Sequence, residues 1–156
     1  MKKTQKKLGN KGFSLVELIV VIAIMAVLVG VLAPTLIRNV EKSRESTDLQ
    51  TLDSIRSSVT TALSTEDVNT AFISEIGSTA SVDTTLASIN SATSGTGFLG
   101  TLKSELTDDG VLGAKLKSKV CNGKDIKIQI TKDGKVIVKV DVAKADTKSK
   151  IDMVAE

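Results

Sequence analysis

Histidine, tryptophan and tyrosine are missing from the 156 residues, and there is one cysteine, one proline and three phenylalanines. Without histidine, the usual His/Cys metal site and both the Ser-His and Cys-His nucleophile pairs are excluded. A single cysteine, Cys121, cannot close an intrachain disulfide, so an exported domain of this chain relies on packing alone. Only Phe72 and Phe98 among the aromatics fall outside the N-terminal region, too few to stack bases or sugars. The formal charge of +3 and the pI of about 9.0 arise partly in the first twelve residues, which carry Lys2, Lys3, Lys6, Lys7 and Lys11 and no acid. Residues 13–156 hold 16 basic and 18 acidic side chains, so there is no basic footprint and nucleic acid is not expected as a partner. The remaining carboxylates, lysines and Cys121 show no pairing with a catalytic geometry. The chain reads as a non-enzyme without cofactor or metal.

What the sequence does have is a membrane-length apolar run. Residues 18–32 contain no charged or polar side chain, broken only by Gly30, and 33–37 extend the run through Pro34 and Thr35. As a helix, residues 18–37 span about 30 Å, the thickness of a bilayer's hydrocarbon core. A secretory signal peptide shares the basic leader and apolar core, but the best cleavage site, at Ala33, is followed by Pro34. A plain signal anchor gives Glu17, at the front edge of the run, no purpose, although an acid there carries a cost in lipid. A buried core helix is disfavoured, because the rest of the chain, with few aromatics, could hardly wrap it. The lysines before the run keep the N-terminus cytoplasmic and place the rest of the chain outside.

Gly12, Phe13, Glu17 and Pro34, set in GFSLVELIVVIAIMAVLVGVLAP, form a recognisable pattern. It resembles the N-terminus of the type IV pilin-like family: a short basic leader ending in Gly, a methylatable Phe, a Glu four residues later, a long apolar helix and often a proline late in it. The resemblance covers about the first 40 residues. It implies cleavage between Gly12 and Phe13 by a membrane peptidase, N-methylation of Phe13, and assembly in which Glu17 of one subunit meets the N-terminal amine of its neighbour. It also implies that Gly30 and Pro34, a poor helix former and a residue lacking an N–H, mark a helix break where the segment unwinds on leaving the membrane. A simple kink is the alternative at that pair.

Beyond Pro34 the pattern predicts an amphipathic helix ending near residues 63–65. Its stripe is Leu52, Ile55, Val59, Ala62 and Leu63, with Arg38, Glu41, Lys42, Arg44, Glu45, Asp48 and Asp53 on a charged surface. Ser and Thr fill fourteen of the 34 positions in 64–97, where short helices or turns alternate with polar loops, the last a flexible stretch at 91–97. A further short helix over 98–106 ends at Asp108-Asp109-Gly110, read as a turn rather than a calcium loop. Alternating apolar residues at 116–120, 126–130 and 136–142 predict a three-stranded antiparallel meander. Three-residue loops at 121–123 and 132–134 keep the apolar faces in phase and place Gly123 and Gly134 in the left-handed conformation. One face is then apolar and the other carries Lys115, Lys117, Lys119, Lys127, Lys135 and Lys139. Residues 143–156 are either an edge strand or a tail.

The expected fold is α+β, with a leader (1–12), an apolar membrane and filament-core helix (13–37), its amphipathic continuation (38–64), and a globular head (65–156) with the meander at about 114–142. The expected function is that of a major pilin, a structural subunit of a type IV pilus. Its partners would be further copies in a helical filament, the prepilin peptidase/methyltransferase and membrane assembly machinery. A pseudopilin of a secretion or competence system is the alternative within this class. A membrane-tethered module that binds a surface ligand is the alternative of another class.

Overall fold

A single helix, α1 (Leu15–Leu63), runs through 49 residues and contains Pro34. The computed structural model describes residues 13–140 together with the strand residues Val154 and Ala155. By compactness the chain divides at Val40, and the part from Glu41 onward holds the packed core. Between residues 38 and 63 there is neither Gly nor Pro, but Ser and Thr are frequent and compete for backbone partners. Here their hydroxyls are satisfied within the helix. The hydroxyls of Thr47, Thr51, Ser54, Thr60 and Thr61 each donate to the carbonyl four residues earlier, at 2.8 to 3.0 Å. The predicted stripe is the buried one, with Leu52, Ile55 and Val59 fully enclosed and Ala62 and Leu63 nearly so.

After α1 come α2 (Glu66–Ile76), β1 (Ser81–Thr85), α3 (Leu86–Ser91) and α4 (Gly97–Asp108). A 3-10 turn (Val111–Gly113) then leads through a long loop to β2 (Ile126–Thr131), β3 (Val136–Val140) and the two-residue β4 (Val154–Ala155). The sheet order is β1-β2-β3-β4 and every pair is antiparallel. Ile126, Ile128 and Ile130 of β2 and Val136, Val138 and Val140 of β3 share one core with the α1 stripe, Phe72, Phe98, Leu102 and Leu106. This is an α+β arrangement, a long helix against a small antiparallel sheet, as expected. The stretch at 91–97 is folded back on α4: Gly95 N–H donates to Gly100 O at 3.0 Å, and the Thr93 carbonyl lies where a Cβ on residue 100 would stand.

The second hairpin has the expected geometry. Ile126 pairs with Val140 and Ile130 with Val136, leaving a three-residue loop, 132–134, with Gly134 at φ +79°. The first predicted strand does not form. Residues 116–120 run as an irregular segment ending in a turn, and β1 takes the place beside β2, Val82 opposite Ile130 and Thr84 opposite Ile128. The physical reason lies in the backbone partners of 117–119. Lys117 N–H donates to Asp48 Oδ1 at 2.7 Å, Ser118 N–H to Asp48 Oδ2 at 2.8 Å, and Lys119 N–H to Glu41 Oε1. Three consecutive amides are thus held by carboxylates on α1, so none is left for a ladder. Leu116 and Ser118 are buried between exposed lysines, so the alternation is real, but the covering surface includes α1 rather than a neighbouring strand. Asp48 itself is 1 % exposed and therefore leaves the charged surface on which it was expected. The lysine face divides accordingly. Lys127 and Lys139 stand opposite one another on the sheet, whereas Lys115, Lys117 and Lys119 belong to the loop.

Candidate functional site

The start of α1 is built by local chemistry that the spacing Ser14-Leu15-Val16-Glu17 encodes. Ser14 is the residue before the helix and Glu17 its third helical position, the arrangement of a capping box. The Glu17 carboxylate turns back, and its Oε2 accepts the Ser14 N–H at 2.9 Å. Leu18 N–H closes the first helical bond onto Ser14 O at 3.2 Å. A carboxylate at this end also faces the positive pole of the helix dipole. Sequence reasoning singled out Glu17 for its charge and missed Ser14, although serine three residues before glutamate ahead of an apolar run is the signal for this cap.

Phe13, directly before the cap, is 91 % exposed and is not one of the core residues. From Leu15 to Ile37 every large apolar side chain is at least half exposed. An 18-residue window here has a mean hydropathy of 3.1, with none of it buried. Exposed apolar surface on this scale is far larger than the patches soluble monomers carry and calls for lipid or another apolar partner. By length and composition α1 can cross a membrane.

Pro34 lies inside α1, and the helix is continuous through it. Proline cannot donate to the carbonyl of Gly30, so one backbone bond is absent from the ladder at this pair. A Cβ placed on Gly30 would have nothing within 4 Å. Gly30 is therefore not demanded by packing among the described residues. Gly12, with the rest of the leader, lies outside the described residues.

Other residues considered as sites are accounted for by structure. Asp108 ends α4 and Asp109 is its C-cap, with Gly110 left-handed at φ +69°. Among the described residues, no group of three or more His, Cys, Asp or Glu is placed to hold a metal. Cys121 is buried, its N–H on Ser118 Oγ at 3.3 Å. Burial pushes its thiol pKa above the ordinary 9.0, the Ser118 hydrogen bond opposes this, and the charges of Asp48 and Glu45 add to the rise. A thiol held protonated in this way is not a nucleophile.

The model of the prokaryotic N-terminal methylation motif matches residues 7–33. That span contains the leader's end, Gly12, Phe13, Glu17 and the apolar run as far as Gly30 and beyond. It is the type IV pilin-like leader signature. No curated protein and no solved structure matches the chain. Phe13 and the capped Glu17 both lie within the span that the motif matches. It stops short of Pro34 and of everything from Glu41 onward, which is described here on its own geometry.

Two features of the pilin-like N-terminus therefore coincide at one helix start. The residue at which processing is expected is exposed and outside the helix, accessible to an enzyme, and the acid that follows is ordered by its own backbone. A precursor of pilin or pseudopilin type, anchored in a membrane by α1, fits both the motif and the exposed apolar surface.

Proposed function

We propose that this protein is a major pilin: a structural, non-catalytic subunit of a type IV pilus. It is made as a single-pass precursor with its N-terminus cytoplasmic and its head outside. A prepilin peptidase cuts between Gly12 and Phe13 and methylates the new amine, and membrane assembly machinery then adds the subunit to a helical filament of identical copies. The observation that carries this reading is the leader signature at residues 7–33 overlapping an apolar helical segment, residues 15–37, whose large side chains are all at least half exposed. In the membrane lipid covers that surface, and in a filament the α1 segments of neighbouring copies do, a head-to-tail interface that does not close on itself.

Glu17 provides the specificity of the addition. Its charge is costly in an apolar bundle, and a neighbour's Phe13 amine relieves that cost only at one axial offset. Gly30 and Pro34, with one helix bond already missing between them, form the segment that lengthens when the subunit leaves the bilayer. Mass spectrometry of the native product tests processing. A chain beginning at methylated Phe13 is expected, and one beginning at Met1 or after Ala33 would sink the reading. Electron microscopy with an antibody to the head tests the filament: long surface fibres are expected, and the chain confined to the envelope would instead indicate a pseudopilin.

A further inference from the structure

Asn39, Asn69, Asn90 and Asn122 are the asparagines among the described residues, and all four are exposed. Exposure does not distinguish them; the amide that follows each one does. Val40, Thr70 and Ser91 stand within α1, α2 and α3, beyond the first turn of each helix, so their N–H groups belong to helical ladders. The Asn69 side chain is bound as well, its Nδ2 donating to Leu63 O at 3.2 Å. Asn122 differs on both counts. It sits in the turn after Cys121, which is closed by Asn122 N–H to Ser118 O at 2.9 Å and Lys124 N–H to Cys121 O at 3.0 Å. Its side chain has no hydrogen-bond partner among the described residues, and the Gly123 N–H between those two bonds donates to none of them.

The two other places where a side-chain carboxyl or amide precedes glycine show what is special here. Gly110 N–H is engaged by Thr107 O at 3.4 Å and Gly134 N–H by Thr131 O at 2.9 Å, both after aspartate. Gly123 follows an asparagine and keeps its amide unengaged. It has no Cβ to obstruct its nitrogen, and nothing lies within 4 Å of the place where one would stand. We propose that Asn122 is a site of spontaneous modification, converting to isoaspartate and aspartate through a cyclic imide formed with Gly123. Hydroxide removes the Gly123 amide proton, and the nitrogen's electron pair forms a bond to Asn122 Cγ. The Cγ–Nδ2 bond breaks, and the leaving nitrogen takes a proton from water and departs as ammonia. Water then opens the ring at either carbonyl. One water is consumed and one ammonia released, with no oxidant, reductant or enzyme.

The product places a carboxylate between Lys119 and Lys124 where a neutral amide stood. On the isomerised route the main chain passes through the former side-chain carbon, which lengthens the segment spanned by the Lys124 N–H to Cys121 O bond. Cys121 is fully buried, so the change reaches the edge of the core. The reaction runs one way, and the converted fraction records the time since the head folded. None of this depends on the pilin reading.

The test incubates the full chain in detergent at mildly alkaline pH and digests it with trypsin, which cuts after Lys119 and Lys124 and isolates residues 120–124. Expected at Asn122 is a mass gain of about 1 Da, with isoaspartate identified by an isoaspartyl methyltransferase and a rate proportional to hydroxide concentration. Asn39, Asn69 and Asn90 should stay intact over the same time. Asn122→Gln, whose imide ring is one atom larger and closes far more slowly, should abolish the gain and leave the circular dichroism of the head unchanged. Because the folded turn gives no protection, the Asn122 rate in urea should lie within about threefold of the folded rate. Asn122 intact in the folded chain but converted in urea would overturn the proposal. So would aspartate without isoaspartate, which marks direct hydrolysis, or equal conversion at all four asparagines, which would make the turn irrelevant.

Discussion

Removing the Asp48 carboxylate tests how the head is held together. The side chain is 1 % exposed and accepts two amides, from Lys117 at 2.7 Å and Ser118 at 2.8 Å. Asp48→Ala leaves both amides without an acceptor, one of them on a fully buried residue. An unsatisfied buried donor costs about 1–3 kcal/mol, and the Lys117 amide is only part-buried, so the loss should be about 2–4 kcal/mol, a large share of the 5–15 kcal/mol that holds a typical domain. Asp48→Asn keeps the shape and one acceptor oxygen, but turns an NH2 group toward the second amide; about 1–3 kcal/mol is expected. Urea unfolding of a chain beginning at Arg38, followed by circular dichroism, reads both. With a slope of about 1–3 kcal/mol per molar, a 2 kcal/mol loss moves the midpoint by about 1 M. Glu41→Gln, at a half-buried position, should cost under about 1 kcal/mol. If Asp48→Ala and Asp48→Asn both unfold within about 0.2 M of the parent, the carboxylate does not hold the loop and the account of why 116–120 is not a strand fails with it.

Gly134→Val should cost about 1–2 kcal/mol in the same assay. Its φ is +79° with open space around it, so backbone strain alone acts, and an unchanged midpoint would contradict the left-handed loop. Because the Cys121 pKa is raised, the folded state keeps the thiol proton above pH 9.0, where the unfolded chain releases it; stability from this group is complete below that pH and falls as pH rises above it. The parent should thus lose stability more steeply above pH 9 than Cys121→Ala, and equal slopes would refute the shift. Glu17→Ala should insert and be processed as the parent is but enter fibres poorly. Fibres of normal number and length built from that variant alone would dismiss the pairing with Phe13.

The parts of the fold that were legible in the sequence are those in which one periodicity meets one burial surface. The stripe at 52–63 and the β2–β3 hairpin are of this kind, the latter because a three-residue loop is the length that keeps Ile130 opposite Val136. At 116–120 the same period of two misled, because alternation reports which side chains are covered and is silent about which atoms satisfy the backbone. β1 was hidden for the complementary reason. Ser-Val-Asp-Thr-Thr offers a single apolar residue, and its strand state is set by the free edge of β2 rather than by its own pattern. Asp48 was readable in retrospect: four residues before Leu52, it sits on the buried stripe, where an acid needs donors. At the candidate site the methylation motif itself was legible from the basic leader and the apolar run. The cap was overlooked because Glu17 was weighed as a charge in lipid and not as a hydrogen-bond acceptor for Ser14.

That cap bears on the speed and fidelity of any encounter at the helix start. A glutamate side chain free to rotate loses about 1–2 kcal/mol of rotamer entropy when a partner fixes it. In this protein much of that freedom is gone before a partner arrives, because Oε2 is tied to Ser14 N–H, while Oε1 accepts nothing among the described residues. One oxygen is held and the other is offered in a set direction. In the assembly proposed above, an incoming amine would therefore meet a receptor already oriented, and a misaligned one would find no flexible arm to follow it.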